Sequence, residues 1–162
     1  MKKLSKEEEM PLKKWFEAAA SVATKSTCSR SKCGSVIVKC GIVIGQGYNS
    51  PPGNIDSQRR CSCDKTKLHK KVTDKTCCMH AEQRAIFEAI NSHSQKALRN
   101  STIFFVRIDN NGNILRSGKP YCTICSKLAL DSGISNFVLW HKDGIYLYTT
   151  EEYNNLSYEY CD

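Results

Sequence analysis

The sequence predicts an α/β protein with three α/β/α layers, in which a mixed central sheet of about five strands lies between helices. Apolar residues recur at helical spacing in several segments, and short β-branched runs lie between them. In the second half of the chain the strands and helices alternate, which is typical of a sheet covered by helices. We expect one domain over residues 1–162, with a basic, cysteine-rich insertion at about 54–76.

The individual elements follow from local signals along the chain. Ser5 and Glu8 have the spacing of a capping box, which predicts that a helix begins here. Two β-branched runs between Gly34 and Tyr48 are typical of a hairpin. The predicted elements are a helix over Lys6 to Thr24, the hairpin, a polar loop over Asn54 to Lys75, a helix over Cys78 to Asn91, a strand over Thr102 to Ile108, a helix over Cys122 to Ser132, a strand over Phe137 to His141 and an apolar run over Ile145 to Tyr148.

The sequence favours a cytoplasmic location. The segment from Met1 to Ala20 lacks the apolar stretch of a secretory signal, and no run reaches the roughly 18 apolar residues of a membrane span. In a reducing compartment the ten cysteines are metal ligands or buried thiols more often than disulfides. We therefore expect no membrane partner, and an extracellular location would change how the cysteines are interpreted.

The charge is concentrated in the first half of the chain. The formal net charge is +8, and residues 1–75 carry 16 Lys and Arg against 7 Asp and Glu. A basic half attracts anionic ligands, of which nucleotides and nucleic acid are the commonest. A solvated surface explains the same excess, so both interpretations stay open.

Two short motifs, His80-Ala81-Glu82 and Cys122-Thr-Ile-Cys125, carry the clearest chemical signal. Cysteines three apart in the first turn of a helix face one side, and the helix N-terminus stabilises their thiolates. Three protein ligands with one open position are the arrangement of a catalytic zinc, which lowers the pKa of a bound water. We predict a zinc ion held by His80, Cys122 and Cys125.

Glu82 is the candidate proton carrier beside that metal. Residues two apart on a regular helix point about 200° from each other, so Glu82 reaches the site only if the metal lies at the end of the helix. The carboxylate would take a proton from water and deliver it to a ring nitrogen and a departing amine. A lone Cys-x-x-Cys also occurs in redox pairs and buried thiols, but its combination with His-x-Glu is the signature of zinc nucleobase deaminases.

With these motifs the chain resembles the deoxycytidylate deaminase branch of the cytidine deaminase superfamily, from Cys28 to about His141. The other similar segments are Cys28-Ser-Arg-Ser-Lys-Cys-Gly-Ser-Val-Ile-Val-Lys, Gly47-Tyr-Asn-Ser-Pro-Pro-Gly and His80-Ala-Glu-Gln-Arg-Ala-Ile. The resemblance implies a cytidine-deaminase-like fold, one catalytic zinc per subunit and a homo-oligomer.

The resemblance also implies substrate contacts. Asn49 is similar to the asparagine that contacts the sugar, the Ala81 backbone N–H to the donor for the pyrimidine carbonyl, and Arg30 to a contact at the phosphate end. The chain departs from the family where Tyr121 separates Pro120 from Cys122, because the family places Pro directly before the first cysteine.

The function that we expect is hydrolytic deamination of the 4-amino group of a cytosine nucleotide, dCMP to dUMP, with release of ammonia. One alternative is a cytosine or adenine deaminase that acts on single-stranded DNA or RNA, whose backbone the basic insertion would follow. Another is a catalytically silent, zinc-stabilised binding module, against which the presence of Glu82 argues. Free cytidine, adenine, guanine or an amino-pyrimidine intermediate also stay open as substrates.

The insertion suggests a second metal. Cys61, Cys63, His69 and Cys77 offer four ligands around a loop poor in apolar residues. Some deoxycytidylate deaminases carry a structural zinc near this insertion, and free thiols are the alternative interpretation.

Overall fold

The computed structural model describes residues 1–72, 77–116 and 119–160. The α-helices are α1 (Lys6–Glu9), α2 (Lys13–Ala23), α3 (Ala81–Ser92), α4 (Thr123–Asp131) and α5 (Thr150–Tyr158). The strands are β1 (Lys2–Lys3), β2 (Lys32–Lys39), β3 (Ile42–Tyr48), β4 (Thr102–Ile108), β5 (Ile114–Leu115), β6 (Asn136–His141) and β7 (Gly144–Thr149). Short 3-10 helices lie at Met10–Leu12, Pro52–Asn54, Asp56–Gln58, Lys65–Lys67 and Gln95–Leu98. Within these described ranges, no helix is long and apolar enough to cross a bilayer.

The strands form one mixed sheet in the order β1-β7-β6-β4-β2-β3, with β5 paired to β4. The β4–β6 pair is parallel, and the other pairs are antiparallel. The five longer strands correspond to the predicted sheet. The two-residue strands β1 and β5 add to it and were not predicted.

Helices cover both faces of the sheet, as predicted. Helix α2 packs on one face, where Phe16 contacts Phe104 and Trp140 with ring centroids 5.4 and 5.3 Å apart. The other face carries α3, α4 and α5, and its core includes Ile86 and Phe137. Two buried layers around one sheet define the three-layer architecture.

Helix α5 is fastened to α4 by hydrogen bonds between small polar side chains. The Ser126 hydroxyl donates to Asn154 Oδ1 at 2.8 Å, and the Ser157 hydroxyl donates to Ser126 Oγ at 3.2 Å. Tyr153 of α5 stacks on Phe137 with ring centroids 4.0 Å apart. The last helix is therefore part of the layer that carries the two cysteines of Cys122-x-x-Cys125.

Glycines let both helical layers approach the sheet closely. A Cβ placed at Gly47 of β3 would lie 2.3 Å from the Ala81 carbonyl oxygen of α3, and one at Gly34 of β2 would lie 2.1 Å from the Ala19 carbonyl oxygen of α2. These distances are well below ordinary contact. Only glycine permits these two helix–strand contacts without displacement of the backbone.

The first predicted helix is interrupted, because the chain forms a 3-10 turn at Met10–Leu12 between α1 and α2. Pro11 has no N–H to continue the helical ladder. The predicted capping box is present, with Ser5 N donating to Glu8 Oε2 at 2.9 Å and Glu8 N donating to Ser5 Oγ at 3.3 Å. Part of the insertion, residues 73–76, lies outside the described residues.

Candidate active site

The starts of α3 and α4 lie side by side and carry the predicted metal ligands. His80 is the N-cap of α3, with φ −74° and ψ 154°, and its backbone N–H donates to Gln83 Oε1 at 2.9 Å. Cys122 is the N-cap of α4, and its sulfur accepts from the Cys125 backbone N–H at 3.3 Å. Extended backbone at both caps lets the side chains point past the helix ends toward a common point.

His80 Nδ1 lies 3.2 Å from the sulfur of Cys122 and 3.2 Å from the sulfur of Cys125. The three ligand atoms all lie within 4.8 Å of one another. Tetrahedral zinc with ordinary Zn–N and Zn–S lengths separates such atoms by about 3.5 Å, so the spacing fits this ion closely. One imidazole and two thiolates are three protein ligands and leave a fourth position for water.

The thiols of Cys122 and Cys125 differ in pKa. The hydrogen bond from Cys125 and the nearby His80 lower the pKa of the Cys122 thiol to about 4. The same hydrogen bond, together with burial, raises the pKa of Cys125. Cys122 is therefore the readier thiolate, and a bound cation would draw the proton from Cys125 as well.

Glu82 lies in the same pocket as these ligands. Only 4% of the residue is exposed, and burial, followed by the negative charge of Cys122, raises the pKa of its carboxyl to about 7. A divalent cation at the three ligands would oppose this shift. Its carboxylate does not join the ligand group, so Glu82 has the position expected of a proton carrier beside a metal at the helix end.

Two of the residues predicted to contact the substrate, Asn49 and Ala81, are buried. Asn49 Oδ1 accepts from the Cys33 backbone N–H at 2.8 Å and from the Ser26 hydroxyl at 2.6 Å, and its Nδ2 donates to the Ser31 carbonyl at 2.8 Å. Asn49 thus holds the loop before β2 and keeps one amide N–H for another acceptor. Ala81 is buried as the first residue of α3, so its N–H has no acceptor within the helix.

Two of the residues that the sequence singled out, Arg30 and Tyr121, are exposed. Arg30 is exposed and lines a cleft together with Arg107. Tyr121 is 45% exposed, and its ring lies 5.9 Å from that of Tyr160. Desolvation and the charge of Glu82 raise the pKa of Tyr121, which directly precedes Cys122 in the sequence. The residue that departs from the family pattern therefore adds an aromatic ring beside the site.

Sequence reasoning missed Cys33 and Tyr153 as neighbours of the site. Burial raises the pKa of both side chains, and the charge of Glu82 raises it further. Cys33 could have been found from the alternation of β2, because it shares a face with Ile37 in the core under α3. The position of Tyr153 depends on the packing of α5 and has no local signal.

A second group of possible ligands consists of Cys28, Cys61 and Cys78, whose sulfurs all lie within 4.8 Å of one another. It differs from the predicted set. Among the described residues, Cys63, His69 and Cys77 do not join a group of three His, Cys or acidic ligands. Hydrogen bonding by Ser29 lowers the pKa of Cys61 to about 6, whereas burial raises that of Cys78 to about 12.

Fold and site together define an α/β/α protein with the ligand set of the zinc deaminases, one histidine and two cysteines at two helix starts. The family described as the cytidine and deoxycytidylate deaminase zinc-binding region matches residues 10–141, and the chain belongs to this family. The predicted family is therefore confirmed, and zinc is the metal that the family's site holds.

Curated relatives carry the name deoxycytidylate deaminase. The protein of Saccharomyces cerevisiae is 28% identical over 125 residues, 76% of this chain and 35% of the relative. That of Schizosaccharomyces pombe is 31% identical over 78 residues, 46% of this chain and 24% of the relative. That of Mycobacterium phage D29 is 30% identical over 120 residues, 74% of this chain and 86% of the relative. The chain thus spans about a third or less of the two yeast relatives and most of the phage relative.

Solved structures agree with the fold. The dCMP deaminase of cyanophage S-TIM5 in complex with dCMP and dUMP has a TM-score of 0.54 at 20% identity, over 83% of this chain and 81% of that one. Cytidine deaminase from Burkholderia pseudomallei has a TM-score of 0.55 at 18% identity, over 87% of this chain and 94% of that one. At these identities the likeness confirms the cytidine-deaminase-like fold alone.

Proposed function

We propose that the chain is a zinc-dependent deaminase that hydrolyses the 4-amino group of a cytosine nucleotide, converting dCMP and water to dUMP and ammonia. The observation that carries the proposal is the convergence of His80, Cys122 and Cys125 beside the buried carboxylate of Glu82. The deoxycytidylate deaminase relatives and the dCMP- and dUMP-bound cyanophage enzyme support this substrate. The proposal takes residues 1–162 as one catalytic domain.

In this proposal His80, Cys122 and Cys125 would hold the zinc ion, which would lower the pKa of a bound water at neutral pH. Glu82 takes one proton from the attacking water and delivers it to ring N3. Glu82 then moves the second proton from the new C4 hydroxyl to the amine, which leaves as ammonia as the C4–N bond breaks. The product keeps a carbonyl at C4.

The remaining contacts orient the ring and the sugar. The Ala81 N–H at the buried start of α3 is placed to donate to the pyrimidine carbonyl. The one amide N–H that Asn49 does not use internally is available for a sugar oxygen. Arg30, on the exposed rim, is the family-derived contact for the phosphate.

The test is ammonia release from cytidine, deoxycytidine, their monophosphates and short oligonucleotides by wild type and by Glu82→Gln. Loss of a general acid–base group is expected to reduce kcat by about 10²- to 10⁴-fold while the zinc content stays unchanged. Glu17→Gln, an exposed substitution on α2, is the matched control and keeps wild-type activity. Wild-type kcat in Glu82→Gln would contradict the mechanism, and activity on oligonucleotides alone would favour the nucleic-acid alternative.

We also propose a second, structural zinc on Cys28, Cys61 and Cys78. Three sulfurs within 4.8 Å of one another supply most of a tetrahedral thiolate site and join the loop before β2, the insertion and the segment before α3. Metal analysis of wild type is expected to give about two zinc ions per chain, and Cys78→Ser about one. Cys40→Ser, at an exposed free thiol, is the control. A wild-type content of about one zinc would remove the second site.

We also propose that copies of the chain associate with one another and that the protein is cytoplasmic. Phe87 of α3 and Leu130 of α4 are exposed apolar side chains on two adjacent helices, which supports contact between copies of the chain. Light scattering on wild type and Phe87→Ser is expected to give a smaller particle for the variant. Equal masses for the two proteins would remove this face as the contact.

A further inference from the structure

A cationic cleft opens between the loop before β2 and the end of β4. Its volume is about 320 Å³, and Arg30, Lys32 and Arg107 line it. The acidic residue in its wall, Asp109, already accepts hydrogen bonds from the backbone N–H groups of Asn111 and Asn113 at 2.9 and 2.8 Å. The cleft therefore keeps an excess of positive charge.

Strand register places Arg107 on the same face of the sheet as the zinc ligands. Ile103 and Phe105 of β4 belong to the core under α3, and alternation puts Arg107 next on that face. Arg107 is the direct partner of Cys33 across the β2–β4 pair. Residues paired in register point to one face, so the guanidinium lies beside the Cys33 thiol.

The same thiol connects Arg107 to the catalytic pocket. The charge of Glu82 raises the pKa of Cys33, and the Arg107 guanidinium opposes that effect by hydrogen bonding and charge. In the structure the backbone N–H of Cys33 donates to Asn49 Oδ1 at 2.8 Å, so Arg107 lies one strand away from the residue expected to contact the sugar.

Arg107 is available for an anionic ligand. It is exposed, and among the described residues no carboxylate lies within 4.0 Å of its guanidinium. Other arginines are engaged elsewhere: Arg59 pairs with Asp56 at 2.6 Å, and Arg116 lies over the Trp140 ring at 5.4 Å. A guanidinium presents paired N–H donors that match phosphate geometry.

We infer that Arg107 binds the 5′-phosphate of the substrate nucleotide and gives the site its preference for a monophosphate over a nucleoside. This inference rests on the proposed function and names a residue outside the motifs that carry the family resemblance. Arg30 and Lys32 also line the cleft and add positive charge to it, whereas Arg107 is the member that pairs with Cys33, next to the core under α3.

The test compares dCMP and deoxycytidine as substrates of wild type, Arg107→Gln and Arg107→Lys. Arg107→Gln is expected to lower kcat/KM for dCMP by about 10- to 100-fold, the range for a lost hydrogen bond to a charged group, and to leave deoxycytidine within about twofold. Arg107→Lys is expected to recover part of the loss, because the charge remains without the paired donors. Arg116→Gln is the matched control and keeps the wild-type preference.

Binding of the product without turnover separates this inference from the proposed function. Calorimetric titration of dUMP and of deoxyuridine into the zinc-loaded proteins is expected to show that Arg107→Gln weakens dUMP alone. An equal loss for both ligands, or an unchanged preference for dUMP, would overturn the inference while leaving deamination intact. Absence of any cytosine deamination by wild type would instead overturn the proposed function. A short oligonucleotide with an internal cytosine distinguishes a free monophosphate from a nucleic-acid phosphate. If Arg107→Gln loses deamination of this oligonucleotide but keeps deamination of dCMP, the contact belongs to nucleic acid and the proposed monophosphate preference is overturned.

Discussion

Gly47→Ala tests whether the close packing of β3 against α3 positions the metal ligands. A Cβ at this position would lie 2.3 Å from the Ala81 carbonyl oxygen and 2.5 Å from the Ala85 backbone nitrogen. Both contacts are backbone atoms, so rotation of a side chain cannot relieve them. The displacement falls either on α3, which begins directly after His80, or on β3, which leads directly into Asn49.

The size of the effect follows from these distances. Ordinary contact begins at 3.4 Å, so helix and strand must separate by about 1 Å. Overpacking of this kind costs about 1–3 kcal/mol in the free energy of unfolding. Metal–ligand lengths tolerate about 0.2 Å, so a shift of the His80 end of α3 weakens zinc binding. We expect zinc affinity to fall at least about 10-fold.

Gly34→Ala is the matched control, because its Cβ would lie 2.1 Å from the Ala19 carbonyl oxygen on the opposite face of the sheet. Urea unfolding is expected to show a comparable loss of stability for both variants. Competition with a chromogenic chelator is expected to show weakened zinc binding for Gly47→Ala alone. Equal zinc affinity in the two variants would refute the argument that this contact positions the metal site.

Three further outcomes are expected. His141 is half-buried, and its Nε2 lies 2.9 Å from the Tyr148 hydroxyl. Burial lowers the pKa of His141 below the usual 6.5. The folded state therefore has its full stability above pH 6.5 and loses part of it as the pH falls through the lowered pKa. Urea unfolding at several pH values should therefore show a smaller acid loss for His141→Phe than for Tyr148→Phe. Asn49→Leu leaves the buried Cys33 N–H without its acceptor and is expected to cost about 1–3 kcal/mol in urea unfolding, whereas an unchanged midpoint would show that water replaces the amide. A chelator is expected to lower the Tm and added zinc to restore it, since a ligand that binds only the folded state stabilises it.

The buried elements of the fold were predictable because their residues carry a local pattern. The strand Thr102–Ile108 has the predicted bounds, and the hairpin between β2 and β3 forms where two β-branched runs flank Cys40 and Gly41. The two-residue strands β1 and β5 depend on pairing with β7 and β4, which a local pattern does not show. Helix α5 is largely polar, although its start carries a usable signal in Thr149 and Glu152.

The candidate site also contains some residues that a local sequence pattern predicts and others that it does not. The ligand group of His80, Cys122 and Cys125 was predictable because two short motifs at helix starts restrict where their side chains point. The group of Cys28, Cys61 and Cys78 was not, since residue 28 precedes two strands that separate it from the others in sequence. Arg107 shows the same limit, because only the register of β4 against β2 brings it beside Cys33.

The hydrogen-bonded seam between α4 and α5 affects the order in which the chain can bind metal and complete its fold. Ser126 lies one position after the proposed metal ligand Cys125, and its hydroxyl partners are Asn154 and Ser157 of α5. A chain emerging from the ribosome presents all three proposed metal ligands once residue 125 is free, about thirty residues before that seam can close. Zinc can therefore be acquired while one side of its helix is still uncovered, and docking of α5 completes the enclosure afterwards.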